Sequence, residues 1–151
     1  MFDVGVHCLD TLRFVLDDEV VSVKSFLQPV PTELRTEEVA NLSLAFSRGT
    51  LASIHCSYRA PMRRRYIEIV GEKGMMSSPE FTVGRTMIPL TITFGQEDQP
   101  TETHTEEIHV PDLYVEEITH FSECVLKGQD PASPGANGLA NQRVLDQAMV
   151  S

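Results

Sequence analysis

The feature that most constrains the fold is a pair of alternating segments on either side of a short turn at Arg48-Gly49. Apolar and small polar residues alternate through Asn41–Ser47, and the alternation resumes through Ala52–Tyr58. Successive side chains of a β-strand point to opposite faces, so a period of two is typical of strands with one buried face. Two such strands joined by a tight turn predict an antiparallel hairpin, and the core must include an antiparallel sheet.

Other segments have the composition or the alternation of strands. Val20–Gln28 is rich in valine and phenylalanine and stops at Pro29, which lacks the amide hydrogen that a central strand needs. A turn is predicted at Gly71–Gly74. Three later segments extend the predicted sheet: Tyr66–Val70, Thr86–Phe94 and Glu106–Val110.

Helical periodicity predicts three helices that flank the strands. The first covers Val4–Asp17 and gathers its apolar residues on one side. The second extends from Pro111-Asp112 to Lys127, with Asp112 as its N-cap and Gly128 just beyond its end. The third begins near Gly138 and is still helical where the chain stops.

The order helix, strands, helix, helix predicts an α+β fold. We expect a single domain, residues 1–151, with an open-faced and mostly antiparallel sheet whose helices pack on one face. The other face would meet water or a second subunit, and the sequence leaves both open. Small and weakly polar residues occupy that other face: Ser43, Ala45, Ser53, Ser57, Thr91 and Thr93.

Composition excludes several classes of protein. The chain has 12 basic and 22 acidic residues, for a net charge of −10, which argues against binding nucleic acid or an anionic membrane through bulk positive charge. It has neither the apolar run of about 18–20 residues that crosses a bilayer nor the basic-then-apolar start of a signal peptide. Cys8, Cys56 and Cys124 are odd in number and widely spaced, which favours reduced thiols and a cytoplasmic protein.

The most informative set of polar residues is Asp3, His7 and Asp10, near the start of the first predicted helix. Spacings of four and three residues place their side chains in one sector, opposite the apolar side. A histidine beside a carboxylate is a common pairing for proton transfer near neutral pH. From spacing alone, however, a solvated polar side of an amphipathic helix is the more common explanation. A metal site is a third alternative, but no further metal-ligand residue clusters with these three in the sequence.

Other candidates have simpler explanations. Arg63–Arg65 could grip a phosphate or carboxylate, but a loop in an acidic protein explains it as well. Gly71–Gly74 lacks the glycine spacing and the strand-to-helix context of a nucleotide loop. Cys124 falls among apolar neighbours and is predicted to be part of a core. Four histidines have no partner at metal-ligand spacing: His55, His104, His109 and His120.

The string DVGVHCLDTLRFVL resembles the helix that opens the C-terminal domain of the Gfo/Idh/MocA family, whose members commonly carry Asp-x-x-x-His-x-x-Asp there. YIEIVGEKG is similar to a strand and turn in the middle of that domain. YVEEITHFSECVLKGQDP and GANGLANQRVLDQAMVS are similar to its two closing helices. Each motif is loose, but the motifs occur in the family's order from one end of the chain to the other.

The resemblance implies an NAD(P)-dependent oxidoreductase acting on a sugar, a polyol or a related compound. His7 would correspond to the catalytic histidine that takes the proton from the substrate hydroxyl. Asp3 would help to place substrate and histidine, and Asp10 would be a supporting residue that binds substrate. The C-terminal domain of the family also supplies the oligomer interface, so we expect a homo-oligomer formed through the open sheet face.

The sequence departs from the family in what it lacks. It has no Gly-x-Gly-x-x-Gly after a strand, no Glu-Lys-Pro motif, and no glycines before Asp3. The first hypothesis is therefore a C-terminal domain without its Rossmann domain, inactive alone, binding neither NAD nor NADP, nor a metal. The second is a non-catalytic assembly or ligand-binding module that uses the open face. The third is a metal-dependent enzyme centred on Asp3 and His7.

Overall fold

The computed structural model of the protein describes residues 3–62, 64–81, 86–96 and 99–150. Three helices and seven strands follow one another along these residues. In chain order they are α1 (Gly5–Leu16), β1 (Val20–Gln28), β2 (Val39–Phe46), β3 (Leu51–Ser57), β4 (Ile67–Gly71), β5 (Gly74–Ser78), β6 (Met87–Gln96), β7 (Gln99–His109), α2 (Leu113–Lys127) and α3 (Gly135–Met149).

The chain divides into two compact units, one formed by Met1–Pro61 with Ala132–Ser151 and the other by Met62–Pro131. The first unit contains α1, the strands β1 to β3 and α3; the second contains β4 to β7 and α2. All the paired strands run antiparallel. The α+β class with mostly antiparallel strands is therefore confirmed. A compact unit is not by itself a domain, so one domain for residues 1–151 stays a prediction.

The strands form two sheets, in the orders β1-β2-β3 and β4-β5-β6-β7, where the sequence predicts one. Alternation indicates which side chains share a face, and tight turns indicate which strands are neighbours. Neither signal marks where a sheet is interrupted. The interruption falls in the connection between β3 and β4, at residues 58–66, which is too long for a tight turn.

The predicted hairpin is confirmed as β2 and β3, with Ser43 opposite Ser53. The predicted strand Val20–Gln28 has the bounds of β1. The sequence does not predict β5, because apolar and polar residues do not alternate in the string GMMSS. This strand exists as the partner of β4 across the predicted turn, where Gly71 lies opposite Gly74.

The core of the first unit lies between one face of its sheet and the two helices α1 and α3. Helices on one face are therefore observed in this unit. Leu9 of α1 and Leu145 of α3 have no exposed surface. The buried residues of this core are Leu9, Val23, Ala40, Leu42, Leu44, Phe46, Ile54, Cys56, Val144, Leu145 and Ala148.

The other face of the first sheet is open. The strand register places Ser43, Ala45, Ser53 and Ser57 on it together, as predicted. Thr91 and Thr93 belong to β6 in the second unit, so the six residues expected to share one face are divided between two sheets.

The second unit confirms the predicted ends of its helix. The Asp112 side chain accepts hydrogen bonds from the backbone N–H groups of Tyr114 and Val115, and Gly128 ends α2 with a φ of 62°. Cys124 is buried, with 6% of its surface exposed. The apolar side of α2 is exposed, including Ile118 and Phe121.

Candidate functional site

The turn before α1 and the end of β3 meet in the first unit through Asp3 and Tyr58. The Tyr58 hydroxyl donates a hydrogen bond to Oδ2 of Asp3. The Tyr58 backbone N–H donates to the carbonyl oxygen of Glu38 at 2.8 Å, which fixes the chain as it leaves β3. Asp3 therefore has a defined partner from another element, 55 residues away in sequence.

The hydrogen bond to Asp3 raises the pKa of Tyr58 above its usual value, and partial desolvation raises it further. Removing the phenolic proton would cost the hydrogen bond and place two negative charges side by side. Tyr58 is nevertheless 61% exposed, so much of the residue is accessible to a ligand. From the sequence, Tyr58 is predicted only as the last residue of an alternating strand. The one sign of a role in the site is its hydroxyl-bearing aromatic side chain at the end of that strand.

His7 lies in the first turn of α1, and its side chain is exposed. Its carbonyl oxygen accepts a hydrogen bond from the Thr11 hydroxyl at 2.8 Å, within the helix. The helix starts at Val4 without a side-chain cap. His7 and Asp3 are thus both at the N-terminal end of α1, and both are exposed.

Asp10 is directed to a different neighbour. Its Oδ1 accepts hydrogen bonds from the side-chain amides of Asn137 at 2.7 Å and Asn141 at 2.6 Å, both from α3. The sequence predicts one polar side for α1 opposite its apolar side. In the structure the two carboxylates have different neighbours. Asp3 accepts a hydrogen bond from Tyr58, just after β3, whereas the half-buried Asp10 faces α3.

Asp10 belongs to a polar network centred on Arg13, which is buried with 8% exposed. Arg13 Nη1 donates to the side-chain oxygens of Asn137 at 2.6 Å and Asn141 at 2.7 Å. Its Nε and Nη2 donate to the two carboxylate oxygens of Glu19 at 2.8 and 2.7 Å. The sequence does not predict this network. Its one signal is a pair of asparagines four residues apart, which share a side of the helix although asparagine has a low helix propensity.

Two thiols meet beneath the same helix. Cys8 on α1 packs against the core that includes Cys56 of β3. The neighbouring thiol is the main influence on each group: Cys56 lowers the pKa of Cys8, and Cys8 raises that of Cys56. The reduced thiols that the sequence predicts are thus neighbours in the fold.

The arginine cluster predicted from the sequence belongs to the second unit. Arg63 lies outside the described residues, and Arg64 is exposed. Arg65 forms an isolated bridge with Glu80, and its carbonyl oxygen accepts from the N–H of Phe81 at 2.9 Å. Arg65 therefore helps to tie together the loops of the second unit.

A comparison with family models decides which family the chain belongs to. Residues 1–77 match the model described as the GFO/IDH/MocA C-terminal domain. The chain belongs to the Gfo/Idh/MocA family. The matched residues include Asp3, His7, Asp10 and Tyr58, so the site lies in the family's C-terminal domain.

Relatives of this Gfo/Idh/MocA chain are longer proteins. It is similar to the D-xylose 1-dehydrogenase [NADP(+)] of Haloarcula marismortui, with 26% identity over 144 residues, which is 93% of this chain and 38% of the relative. The chain thus spans well under half of that dehydrogenase. The sugar dehydrogenases and oxidoreductases among its relatives support an oxidoreductase domain.

Solved structures share the fold of this Gfo/Idh/MocA domain. The aldose-aldose oxidoreductase of Caulobacter crescentus, complexed with glycerol, has a TM-score of 0.76 and 22% identity over 97% of this chain and 44% of its own. The UDP-N-acetylglucosamine 3-dehydrogenase of Acidithiobacillus ferrooxidans has a TM-score of 0.73 and 17% identity over 96% of this chain and 46% of its own. Identities this low establish the fold alone.

The described residues do not fit the dinucleotide that the family implies. A bound pyrophosphate needs a glycine-rich strand-to-helix turn whose backbone amides face the phosphates. The one strand-to-helix connection in the part of the chain that the structure describes, between β7 and α2, has no glycine. Its Asp112 carboxylate already accepts from the N–H groups of Tyr114 and Val115 at 3.0 and 3.2 Å. This negative charge would repel a phosphate.

Among residues 3–62, 64–81, 86–96 and 99–150, no group of three or more His, Cys, Asp or Glu side chains is arranged to hold a metal ion. None of the helices in these ranges combines the length and the apolar character that a membrane crossing requires.

Proposed function

We propose that this chain is the substrate-binding and oligomerisation domain of an NAD(P)-dependent oxidoreductase that acts on a sugar, polyol or related hydroxyl compound. One observation carries the proposal: the exposed imidazole of His7 lies on the first turn of α1, next to the turn where Tyr58 holds the carboxylate of Asp3. The similarity to a D-xylose 1-dehydrogenase supports the class of substrate.

In this proposal His7 is the proton-transfer residue. Oxidation of a secondary alcohol to a ketone releases the hydroxyl proton together with a hydride from carbon. Imidazole accepts protons near neutral pH, and an exposed ring at a helix end can reach the hydroxyl of a bound sugar. His7 would take that proton and pass it to solvent.

Two carboxylates would support the histidine. Asp3 would accept a hydrogen bond from the substrate and orient it towards His7. Asp10 would contribute indirectly, because its contacts with Asn137 and Asn141 hold α1 on α3 and so fix where the first turn of α1 lies. The Asp10 side chain is 42% exposed, and a contact with substrate would use this exposed part.

A nicotinamide cofactor would accept the hydride. Since the described residues do not fit a dinucleotide, we propose that NAD or NADP is bound by a Rossmann domain outside these 151 residues and that the isolated chain is inactive. Calorimetric titration of NADH and NADPH into this chain tests this part. We expect no tight binding, and a submicromolar dissociation constant would contradict the proposal.

The open face of the first sheet favours a second candidate function, a non-catalytic assembly module. Phe26 and Leu51 are exposed on it by 83% and 78%. A hollow of about 400 Å³ on this sheet includes Ser22, Lys24 and Leu51 in its lining. Exposed apolar side chains on a surface of small residues are typical of a contact between subunits. In the oxidoreductase this face would form the homo-oligomer.

The two candidate functions differ in what they require of His7. In the protein that carries this chain together with a dinucleotide-binding domain, here called the complete enzyme, His7→Ala should lower turnover and leave cofactor affinity nearly unchanged. His104→Ala is the matched control, because His104 is an exposed histidine on β7 of the second unit. Normal turnover of His7→Ala would leave only the assembly function.

A further inference from the structure

We infer that Tyr58 is a positioning residue of the site, that its hydroxyl fixes the carboxylate of Asp3, and that the pair selects substrates with adjacent hydroxyl groups. This inference rests on the proposed function, since it assigns the substrate geometry of that same site. Its physical basis is a hydrogen bond between two elements of the first unit, the turn before α1 and the end of β3.

Asp3 needs an external partner to be oriented. It precedes α1 and lies in a turn, so regular helix hydrogen bonds do not set its direction. An unsupported carboxylate would sample several rotamers and lose entropy each time it met a substrate. The hydroxyl of Tyr58 removes that freedom before substrate arrives.

The backbone around Tyr58 is itself held in place. Its N–H donates to the Glu38 carbonyl at 2.8 Å. The Ser57 hydroxyl oxygen accepts from the N–H groups of Arg59 and Ala60, both at 3.1 Å, which fixes the turn that follows. The Glu38 carboxylate pairs with Arg59 at 2.5 Å. These contacts hold the backbone of Tyr58 in place, so its hydroxyl can orient the carboxylate of Asp3.

The pair offers two neighbouring acceptors to a ligand. Tyr58 donates to Oδ2 of Asp3, so Oδ1 can accept from one substrate hydroxyl. The phenolic oxygen retains lone pairs and can accept from a second hydroxyl. Two acceptors side by side match a vicinal diol, and the exposed ring of Tyr58 can pack on the C–H surface of a sugar. A substrate with a single hydroxyl would use only one of these acceptors.

The pairing can be measured without any activity. Ring resonances of Tyr58 in the isolated chain, followed by NMR against pH, should titrate above the usual tyrosine value, and Asp3→Asn should bring the pKa of Tyr58 down. Asp17→Asn is the control and should leave the titration unchanged, because Asp17 is an exposed aspartate at the opposite end of α1. A Tyr58 titration that Asp3→Asn does not move would overturn the inference.

Kinetics of the complete enzyme test the role in selection, with D-xylose as the vicinal diol and a single-hydroxyl analogue for comparison. Tyr58→Phe should lower kcat/KM for D-xylose by about tenfold, the scale of one lost charge-assisted hydrogen bond, and change it much less for the analogue. The double variant Tyr58→Phe/Asp3→Asn should lose less free energy of activation than the two single variants added together, since part of the effect of the hydroxyl passes through the carboxylate.

Tyr66→Phe is the matched control, because the Tyr66 hydroxyl donates to Glu68 at 2.5 Å in the second unit. A merely structural tie would lower the melting temperature of Tyr58→Phe and affect both substrates equally, and that result would overturn the inference. If His7→Ala loses turnover while Tyr58→Phe behaves as wild type, the inference fails and the proposed function stands. If His7→Ala keeps wild-type turnover, both fail.

Discussion

Arg13 and Glu19 form two parallel hydrogen bonds, Nε to Oε2 at 2.8 Å and Nη2 to Oε1 at 2.7 Å. This paired contact joins α1 to the residue just before β1. Through its third nitrogen, Nη1, Arg13 also reaches Asn137 and Asn141 on α3. A guanidinium provides this number of donors in a fixed plane, and a lysine does not. The contact therefore fixes the position of the helix that carries His7.

Replacing Arg13 should destabilise the first unit. Arg13→Met leaves the side-chain oxygens of half-buried Asn137 and buried Asn141 without their donor, and we expect a loss of about 1–3 kcal/mol in the free energy of unfolding. Urea unfolding of the purified chain, followed by far-UV circular dichroism, measures it. Arg64→Met, at an exposed position, should change the value by less than about 0.5 kcal/mol. Equal stabilities of the two variants would show that the network contributes nothing.

The same contact predicts a dependence of stability on acid. The hydrogen bond from Arg13 lowers the pKa of Glu19, against a smaller opposing effect of desolvation. A carboxyl group with a lowered folded-state pKa adds stability above its unfolded pKa, and that stability is lost as the pH falls through the folded value. The melting temperature of the wild type should therefore decrease as the pH is lowered below about 4.5. In Glu19→Gln the same change of pH should lower the melting temperature by less. Glu33→Gln, an exposed position, is the control and should follow the wild type.

The two neighbouring thiols should differ in reactivity. The neighbouring Cys56 lowers the pKa of Cys8, so Cys8 forms its thiolate at a lower pH than an ordinary cysteine. Iodoacetamide, with peptide mass spectrometry, should label Cys8 before Cys56 and Cys124, both of which are buried. In Cys56→Ala the labelling of Cys8 should require a higher pH. Labelling of Cys56 first would contradict the assigned pairing.

A glycine in the second unit should be irreplaceable. Gly74 has a φ of +153°, and a Cβ atom there would overlap the carbonyl oxygen of Thr93 and lie 2.9 Å from the Cα of Phe94. Gly74→Ala should therefore separate β5 from β6 and cost more than about 1 kcal/mol. Gly135→Ala is the control, because a Cβ at Gly135 meets no atom within 4 Å. Thermal unfolding distinguishes them, and equal melting temperatures would refute this account.

Much of the fold could be predicted because its signals are local. Alternation located β2 and β3, and the Asp112 and Gly128 caps located the ends of α2. β7 proved longer than the predicted Glu106–Val110, because its first half is a polar run with no apolar face. Polar strands form when a neighbour supplies the hydrogen bonds, and that neighbour is not visible in the strand's own sequence.

The candidate site was less accessible to prediction. The spacing of Asp3, His7 and Asp10 is a property of one helix and its preceding turn, so the sequence shows it directly. The partners come from distant segments: Tyr58 is 55 residues from Asp3, and Asn141 is 131 from Asp10. Only the packing of α1 on the sheet and on α3 brings them together. Helix spacing therefore gave the candidates and could not give their contacts.

The role of His7 is the central claim, and chemical rescue tests it most directly. Oxidation of a sugar or polyol of the proposed substrate class by the complete enzyme is followed by nicotinamide absorbance for the wild type and for His7→Ala, without and with added imidazole. The account predicts that His7→Ala lowers kcat/KM by about 10²–10⁴-fold and that imidazole restores part of it. His104→Ala should behave as wild type. Wild-type turnover in His7→Ala, or a loss that imidazole leaves unchanged, would contradict proton transfer by His7.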